Sequence, residues 1–193
     1  MSESDRAKWD SRYTAGAYSQ RSQSSDFLRQ HIGHLQPGHA LDVACGAGRN
    51  SLYLARQGWQ VDAMDISAVG LEQGQASALE ADLHINWHCQ DLLTNPTLPR
   101  CDYQLIILFR FVAMQLLEQL PAHLAPGGLL IVEEHMVWPG SVTGPTSSRF
   151  RVEPGALKLR LSAMEVIVDE EGEIVDADGS TAALCRLVAR KPN

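Results

Sequence analysis

The sequence predicts an α/β protein built on a doubly wound, mostly parallel sheet, and three observations predict it. His39 to Val43 is a short apolar run that breaks at once into Cys45-Gly46-Ala47-Gly48, as a strand leading into a tight turn does. Arg49 to Gln57 then keeps helical spacing and stops at Gly58, where a left-handed C-cap belongs. Trp59, Val61 and Ala63 alternate with polar neighbours up to Asp65, giving a second strand. Strand, glycine turn, helix and parallel strand make one βαβ unit, the first half of a Rossmann-like doubly wound sheet.

The turn carries the first chemical signal. Gly46 and Gly48 remove side chains where a ligand must approach the main chain, and the free amides at a helix start favour negative charge. Asp65 follows Gly46 by 19 residues, which puts a carboxylate at the end of the second strand, within reach of a ribose diol. The pattern reads as a site for a nucleoside-containing cofactor. The competing reading is a glycine turn that only lets a helix pack on its strand. The dinucleotide fingerprint asks for Gly or Ala where Ser51 stands, and an acid, Asp42, precedes the turn.

The remaining elements follow in order. Residues 4–23 begin as a short helix and turn polar, with Trp9, Tyr13 and Tyr18 as large anchors for such a segment. Leu28, Ile32 and Leu35 give Ser25 to Leu35 an apolar helical face, ended by Pro37-Gly38; His31 and His34 read as helix-surface residues. Ser67 caps a helix from Ala68 to about Ala81, in which Gly70 and Gly74 permit close packing on the sheet. His84 to Cys89 is a third strand and Asp102 to Phe109 a buried fourth.

Arg110 interrupts the apolar end of that fourth strand. A buried guanidinium needs a partner, so it meets either a polar or anionic ligand or a structural carboxylate. Met114 to Leu124 keeps helical spacing with a break or new start at Pro121, and LAPGGLLIVEE turns into a fifth strand ending in Glu133, Glu134 and His135. Side chains alternate along a strand, so Glu134 faces away from Glu133 and His135. His135 is the general-base candidate by its ordinary pKa, with a solvent-facing rim position as the competing reading. Residues 139–151 form a Pro/Gly/Ser/Thr loop, Glu153 to Leu161 a short helix, and Met164 to Asp169 and Ala182 to Arg190 two last strands.

Bulk properties bound the partners. A chain of 193 residues, 45% hydrophobic and 20% charged, suits a single domain with a buried core. The net charge of −7 and the lack of any Lys/Arg cluster argue against a nucleic-acid backbone as partner. Four cysteines without metal-ligand spacing read as reduced thiols, with no metal site. The charged start, MSESDRAKWD, and the short apolar runs predict neither a signal peptide nor a membrane span, hence a cytoplasmic protein.

The run LDVACGAGRNSLYLARQGWQVDAMDIS resembles the first motif and acidic second-strand end of class I S-adenosylmethionine-dependent methyltransferases. Its GRNSLYLA portion is closer to the tellurite-resistance and thiol-methyltransferase-like subgroup, and Ala44 stands where that family more often has glycine. The resemblance covers roughly residues 8–191.

It implies a seven-stranded sheet with an antiparallel C-terminal edge hairpin, formed as one domain whose residues 1–36 are a helical lid segment on a 37–193 core. It implies S-adenosyl-L-methionine as cofactor, with S-adenosyl-L-homocysteine as product. The implied cofactor residues are Asp42, Ala44, Cys45, Gly46, Gly48, Arg49, Asn50, Asp65 and Ile66 around the first turn. Asp91 and Leu92 are implied at the adenine, Phe109 beside them, and Arg21 against the donor's carboxylate. Asp91 also reads as a turn cap before Leu92-Leu93.

The implied reaction is direct in-line methyl transfer to a small molecule, a thiol, chalcogen oxyanion or similar nucleophile, with Arg110 and His135 as catalytic candidates. Two rivals stand beside it: a nucleotide-dependent oxidoreductase of similar topology and a non-catalytic module that binds the same cofactor.

Overall fold

The computed structural model describes residues 3–16, 18, 19, 23–175 and 179–193. Helix α1 (Glu3–Thr14) and helix α2 (Asp26–Ile32) precede the sheet. Then come β1 (His39–Val43), α3 (Arg49–Arg56), β2 (Gln60–Asp65), α4 (Ala68–Glu80), β3 (Ile85–Cys89) and β4 (Tyr103–Phe109). The second half holds α5 (Met114–Gln119), β5 (Leu124–His135), α6 (Ala156–Arg160), β6 (Glu165–Val175) and β7 (Thr181–Arg190). Among the described residues, no helix is long and apolar enough to cross a membrane.

The strands form one seven-stranded sheet in the order β3-β2-β1-β4-β5-β7-β6. The pairs from β3 through β5 are parallel, and β7 runs antiparallel to both β5 and β6. This is the predicted class, edge hairpin included. Strand order reverses between β1 and β4, so a crevice opens at the C-terminal ends of those two strands, the usual ligand position in such sheets. One core lies under α5 and α6, with Leu41, Met64, Ile106 and Leu130 at its centre. The other lies under α2 and α3, around Phe27, Leu54, Leu105 and Ile131.

Local chemistry sets the element ends. Gly58 takes a positive φ of 87° after α3, and the Ser67 hydroxyl accepts the Gly70 amide at 3.1 Å to cap α4. A 3-10 turn over Leu120–His123 has Pro121 in its first positions, a fresh start rather than a kink. Two elements differ from expectation. Helix α2 stops at Ile32 instead of Leu35, at Gly33. Strand β5 already begins at Leu124, and the Pro126-Gly127-Gly128 stretch is a bulge inside it, with the β4 register slipping between Tyr103 and Leu105. Asp62 is a buried polar node below the crevice, accepting from the Tyr103 hydroxyl at 2.8 Å, Asn86 at 3.1 Å and lying 3.0 Å from His88 Nε2.

Candidate active site

The turn after β1 is wound through left-handed backbone: Ala44 has φ 58°, Gly46 59° and Gly48 75°. For Ala44 that conformation costs about 1–2 kcal/mol relative to glycine-like freedom. Asp65, the last residue of β2 and 8% exposed, turns into the bend. Its Oδ2 accepts the Gly46 amide at 2.8 Å and its Oδ1 the Ser67 amide at 2.8 Å. A carboxylate offers about four lone-pair positions, so acceptor capacity remains for a further donor. Burial raises this carboxyl above the ordinary Asp range, against the hydrogen bonds from Ser67, Gly46 and Ile66.

A second acid sits in the same bend. Asp42 is 2% exposed, and its Oδ2 accepts the Ser51 hydroxyl at 2.6 Å. Burial pushes its carboxyl up to about 7, opposed by that hydrogen bond and by Arg49, with Asp65 adding to the rise. Arg49 donates to the Gln23 carbonyl at 3.1 Å. Two desolvated carboxyls with spare acceptor capacity fit a ligand that carries hydroxyl donors and positive charge.

The other predicted residues fall around this bend. Asn50 is buried and its Oδ1 accepts the Ser25 amide at 2.9 Å, tying α3 to the segment before α2. Burial drives the Cys45 thiol well up, with Asp42 and Asp65 beside it, which makes it a packing residue rather than a nucleophile. Ile66 is buried and follows Asp65 directly. Asp91 stands at the top of β3, where its carboxylate accepts the Leu93 amide at 2.8 Å and the Thr94 hydroxyl at 3.0 Å; the turn-capping role is realised. Leu92 and Phe109 are buried in the two cores. Arg21 lies outside the described residues.

Two aromatic rings that sequence reasoning did not assign to the site fill the space the glycines leave. A Cβ on Gly48 would fall 2.4 Å from the Trp87 ring, and one on Gly74 2.5 Å from it. A Cβ on Gly46 would fall 2.1 Å from the Tyr13 hydroxyl, and one on Gly70 3.0 Å from the Tyr13 ring. Gly48→Ala is therefore expected to destabilise twice over. Its φ of 75° costs about 1–2 kcal/mol for a side chain, and moving Trp87 costs about 1–3 kcal/mol more. Denaturant unfolding of Gly48→Ala with and without Trp87→Ala separates the two parts, because only the second vanishes in the double variant.

A second cluster forms where β4 and β5 end, beside the middle of β7. Arg110 has φ 60°; its amide donates to the Glu133 carbonyl at 2.7 Å and its Nε to Glu133 Oε1 at 2.9 Å. Arg186 Nε donates to Glu133 Oε2 at 2.8 Å while its guanidinium stacks over Phe27 at 5.2 Å. Arg110 is thus a structural ion-pair partner, and two guanidiniums share one carboxylate. Arg186 was missed in the sequence, although it breaks an apolar strand just as Arg110 does.

His135 is buried, not at a solvent-facing rim: it is 9% exposed, and a Cβ on Gly144 would fall 2.6 Å from its ring. Arg110 donates to its Nε2 at 3.2 Å, so that nitrogen carries no proton. Glu134 faces the opposite side, as alternation requires, and its Oε1 accepts the Phe111 amide at 3.0 Å. Burial drives the Glu134 carboxyl well up, the Phe111 bond and Arg110 opposing.

Comparison with known proteins agrees with this geometry. Residues 40–128 match the family described as a methyltransferase domain. The ribosomal RNA small subunit methyltransferase C of Alcanivorax borkumensis is 31% identical over 106 residues, 49% of this chain and 31% of that protein. The chain thus spans less than a third of the length of the curated relatives it matches. The crystal structure of TehB from Haemophilus influenzae superposes with a TM-score of 0.75 at 22% identity, over 93% of this chain and 66% of that one.

Geranyl diphosphate C-methyltransferase from Streptomyces coelicolor, solved with S-adenosyl-L-homocysteine, superposes with a TM-score of 0.66 at 16% identity, over 90% of this chain and 76% of that one. The matched region, residues 40–128, spans the glycine bend, Asp65 and the start of β5 and is similar to a methyltransferase domain, and the chain shares the fold of these solved structures.

Proposed function

We propose that the chain transfers a methyl group from S-adenosyl-L-methionine to a small nucleophile in one direct displacement, and that the acceptor is an anion such as a chalcogen oxyanion or thiolate. The observation that carries the cofactor half is Asp65, buried at the end of β2 and bonded to the Gly46 amide at 2.8 Å with acceptor positions to spare. Asp65 takes the ribose diol, and Asp42 with the backbone of Ala44 and Gly46 faces the charged methionyl end. Asp91 and Leu92 border the adenine, with Cys45, Gly48, Arg49, Asn50, Ile66 and Phe109 shaping the walls. The bound cofactor supplies an electrophilic methyl group on a positively charged sulfur.

The acceptor half rests on charge. Arg110 and Arg186 both donate to the carboxylate of Glu133, which brings two guanidiniums together at that end of the sheet. Guanidinium groups held on a fixed carboxylate can orient an oxyanion without reorganising. An anionic acceptor needs no base, since no proton leaves it. That agrees with His135, whose Nε2 is already engaged by Arg110 and acts to orient it. A net charge of −7 favours such a small acceptor over a nucleic acid.

Calorimetry and radiolabelled methyl transfer test the proposal together. Tight S-adenosylhomocysteine binding without NAD(P)H uptake excludes the oxidoreductase. Transfer across a panel of thiols, chalcogen oxyanions, amines and phenols should favour the anions. A blank panel beside tight binding would leave a non-catalytic module.

Asp42 makes cofactor binding pH-dependent. Its folded value of about 7 against an ordinary 3.8 means that the folded chain prefers the protonated form. Its stability contribution is complete below about pH 4 and lost as pH rises towards 7, where a buried anion must be held. A cationic ligand pairs with that anion, so affinity for S-adenosylmethionine should rise over the same interval and level off above it. Titrating Kd from pH 5.5 to 8 checks this, and Asp42→Asn should flatten the profile.

A further inference from the structure

Glu134 is 1% exposed, and neither the cofactor bend nor the arginine cluster uses its carboxyl. It shares a face of β5 with Val132 and Met136, at the edge of the core under α5 and α6. One oxygen, Oε1, accepts the Phe111 amide at 3.0 Å, which ties the side chain to the turn after β4. The other, Oε2, is buried and meets no hydrogen-bond partner among the described residues. A carboxyl oxygen kept from both water and partners is costly, so it favours a proton or an arriving donor. The C-terminal ends of β4 and β5 border the crevice, where an acceptor would face the cofactor's methyl group.

The groups around this carboxyl set its proton affinity. Burial raises it, the Phe111 bond and Arg110 oppose, and neighbouring Glu133 adds to the rise. Across the β5–β7 pairing Cys185 stands opposite Glu134, and Glu171 of β6 stands opposite Cys185. Burial, then Glu171, drives the Cys185 thiol up, so it keeps its proton and adds no charge. Glu171 Oε1 accepts the Gly155 amide at 2.6 Å. A carboxyl lifted in this way is a stronger base than a solvated one.

We propose that Glu134 is a general base, and that the acceptor enters as a neutral thiol whose proton passes to Oε2. The inference rests on the methyl-transfer reading above and narrows its acceptor to thiols. The thiol S–H bond breaks with its electron pair left on sulfur, and an O–H bond forms on Oε2. The thiolate then attacks the methyl carbon. A new S–C bond forms as the sulfonium–methyl bond breaks, and that electron pair neutralises the cofactor's sulfur. Glu134 returns the proton to water after the product leaves.

Glu134→Gln tests the base, because an amide oxygen can keep the Phe111 bond while the proton acceptor is lost. Radiolabelled methyl transfer is followed against pH with 2-mercaptoethanol, neutral at pH 7, and benzenethiol, a thiolate above neutrality. With 2-mercaptoethanol near neutral pH the variant should lose about 100-fold or more in kcat, and with ionised benzenethiol less than about threefold. Its rate on 2-mercaptoethanol should recover as the pH approaches that thiol's own ionisation. Calorimetric affinity for S-adenosylhomocysteine should not change. Equal losses with both thiols, or weaker S-adenosylhomocysteine binding, would make Glu134 structural and overturn the base. Undiminished turnover of 2-mercaptoethanol would do the same. Wild type that methylates selenite but neither thiol would overturn the base and leave methyl transfer standing. No transfer by wild type to any acceptor would instead remove the methyl-transfer reading, and the base with it.

Discussion

Replacing Glu133 by alanine is expected to cost about 3–5 kcal/mol of folding stability, the usual penalty for removing one partner of a buried ion pair. Glu133 is 1% exposed and joins Arg110 at 2.9 Å to Arg186 at 2.8 Å, each with about one-seventh of its side chain exposed. Without it two guanidiniums face each other in a poorly solvated pocket. Urea unfolding measures the loss. Glu133→Ala combined with Arg110→Met should recover part of it, because the repulsion then disappears. A small oxyanion should stabilise the single variant more than wild type by binding the folded form. A loss below about 1 kcal/mol would place the pair among solvent-screened ones and remove the electrostatic case for an anionic acceptor.

Asp65→Ala should weaken S-adenosylhomocysteine binding by more than about tenfold, since a hydrogen bond to a charged acceptor is worth about 1.5–3 kcal/mol. The substitution also strands the Gly46 and Ser67 amides, which the carboxylate holds at 2.8 Å each. Some stability will therefore be lost along with affinity. Asp65→Asn separates the effects, as its amide oxygen still serves one backbone donor but carries no charge. Calorimetry on folded protein at matched melting margin is the measurement, and an unchanged Kd would reject the ribose role.

Much of the architecture can be read from neighbours in the chain. The strand, bend, helix and strand over residues 39–65 follow from apolar period and from glycines at φ 75° and 87°. The Ser67 cap, the restart at Pro121 and the opposed faces of Glu133 and Glu134 are equally local. Other readings needed the folded chain. Asp91 offered two roles, and the folded chain shows the turn cap, with the Leu93 amide and Thr94 hydroxyl on its carboxylate, beside which the adenine role is proposed. His135 looked like a rim residue because nothing near it in sequence announces that Gly144 folds over its ring.

What the sequence determined alone is the class of fold, the bend with its acid, and the kind of ligand such a bend accepts. Those depend on backbone geometry and side-chain period within a few turns of chain. Only the tertiary structure decided which side chains share the space: Tyr13 on Gly46, Trp87 on Gly48 and Gly74, Arg186 beside Arg110 on Glu133. Each of those meetings depends on strand register and helix docking across the sheet, distances that no local pattern encodes.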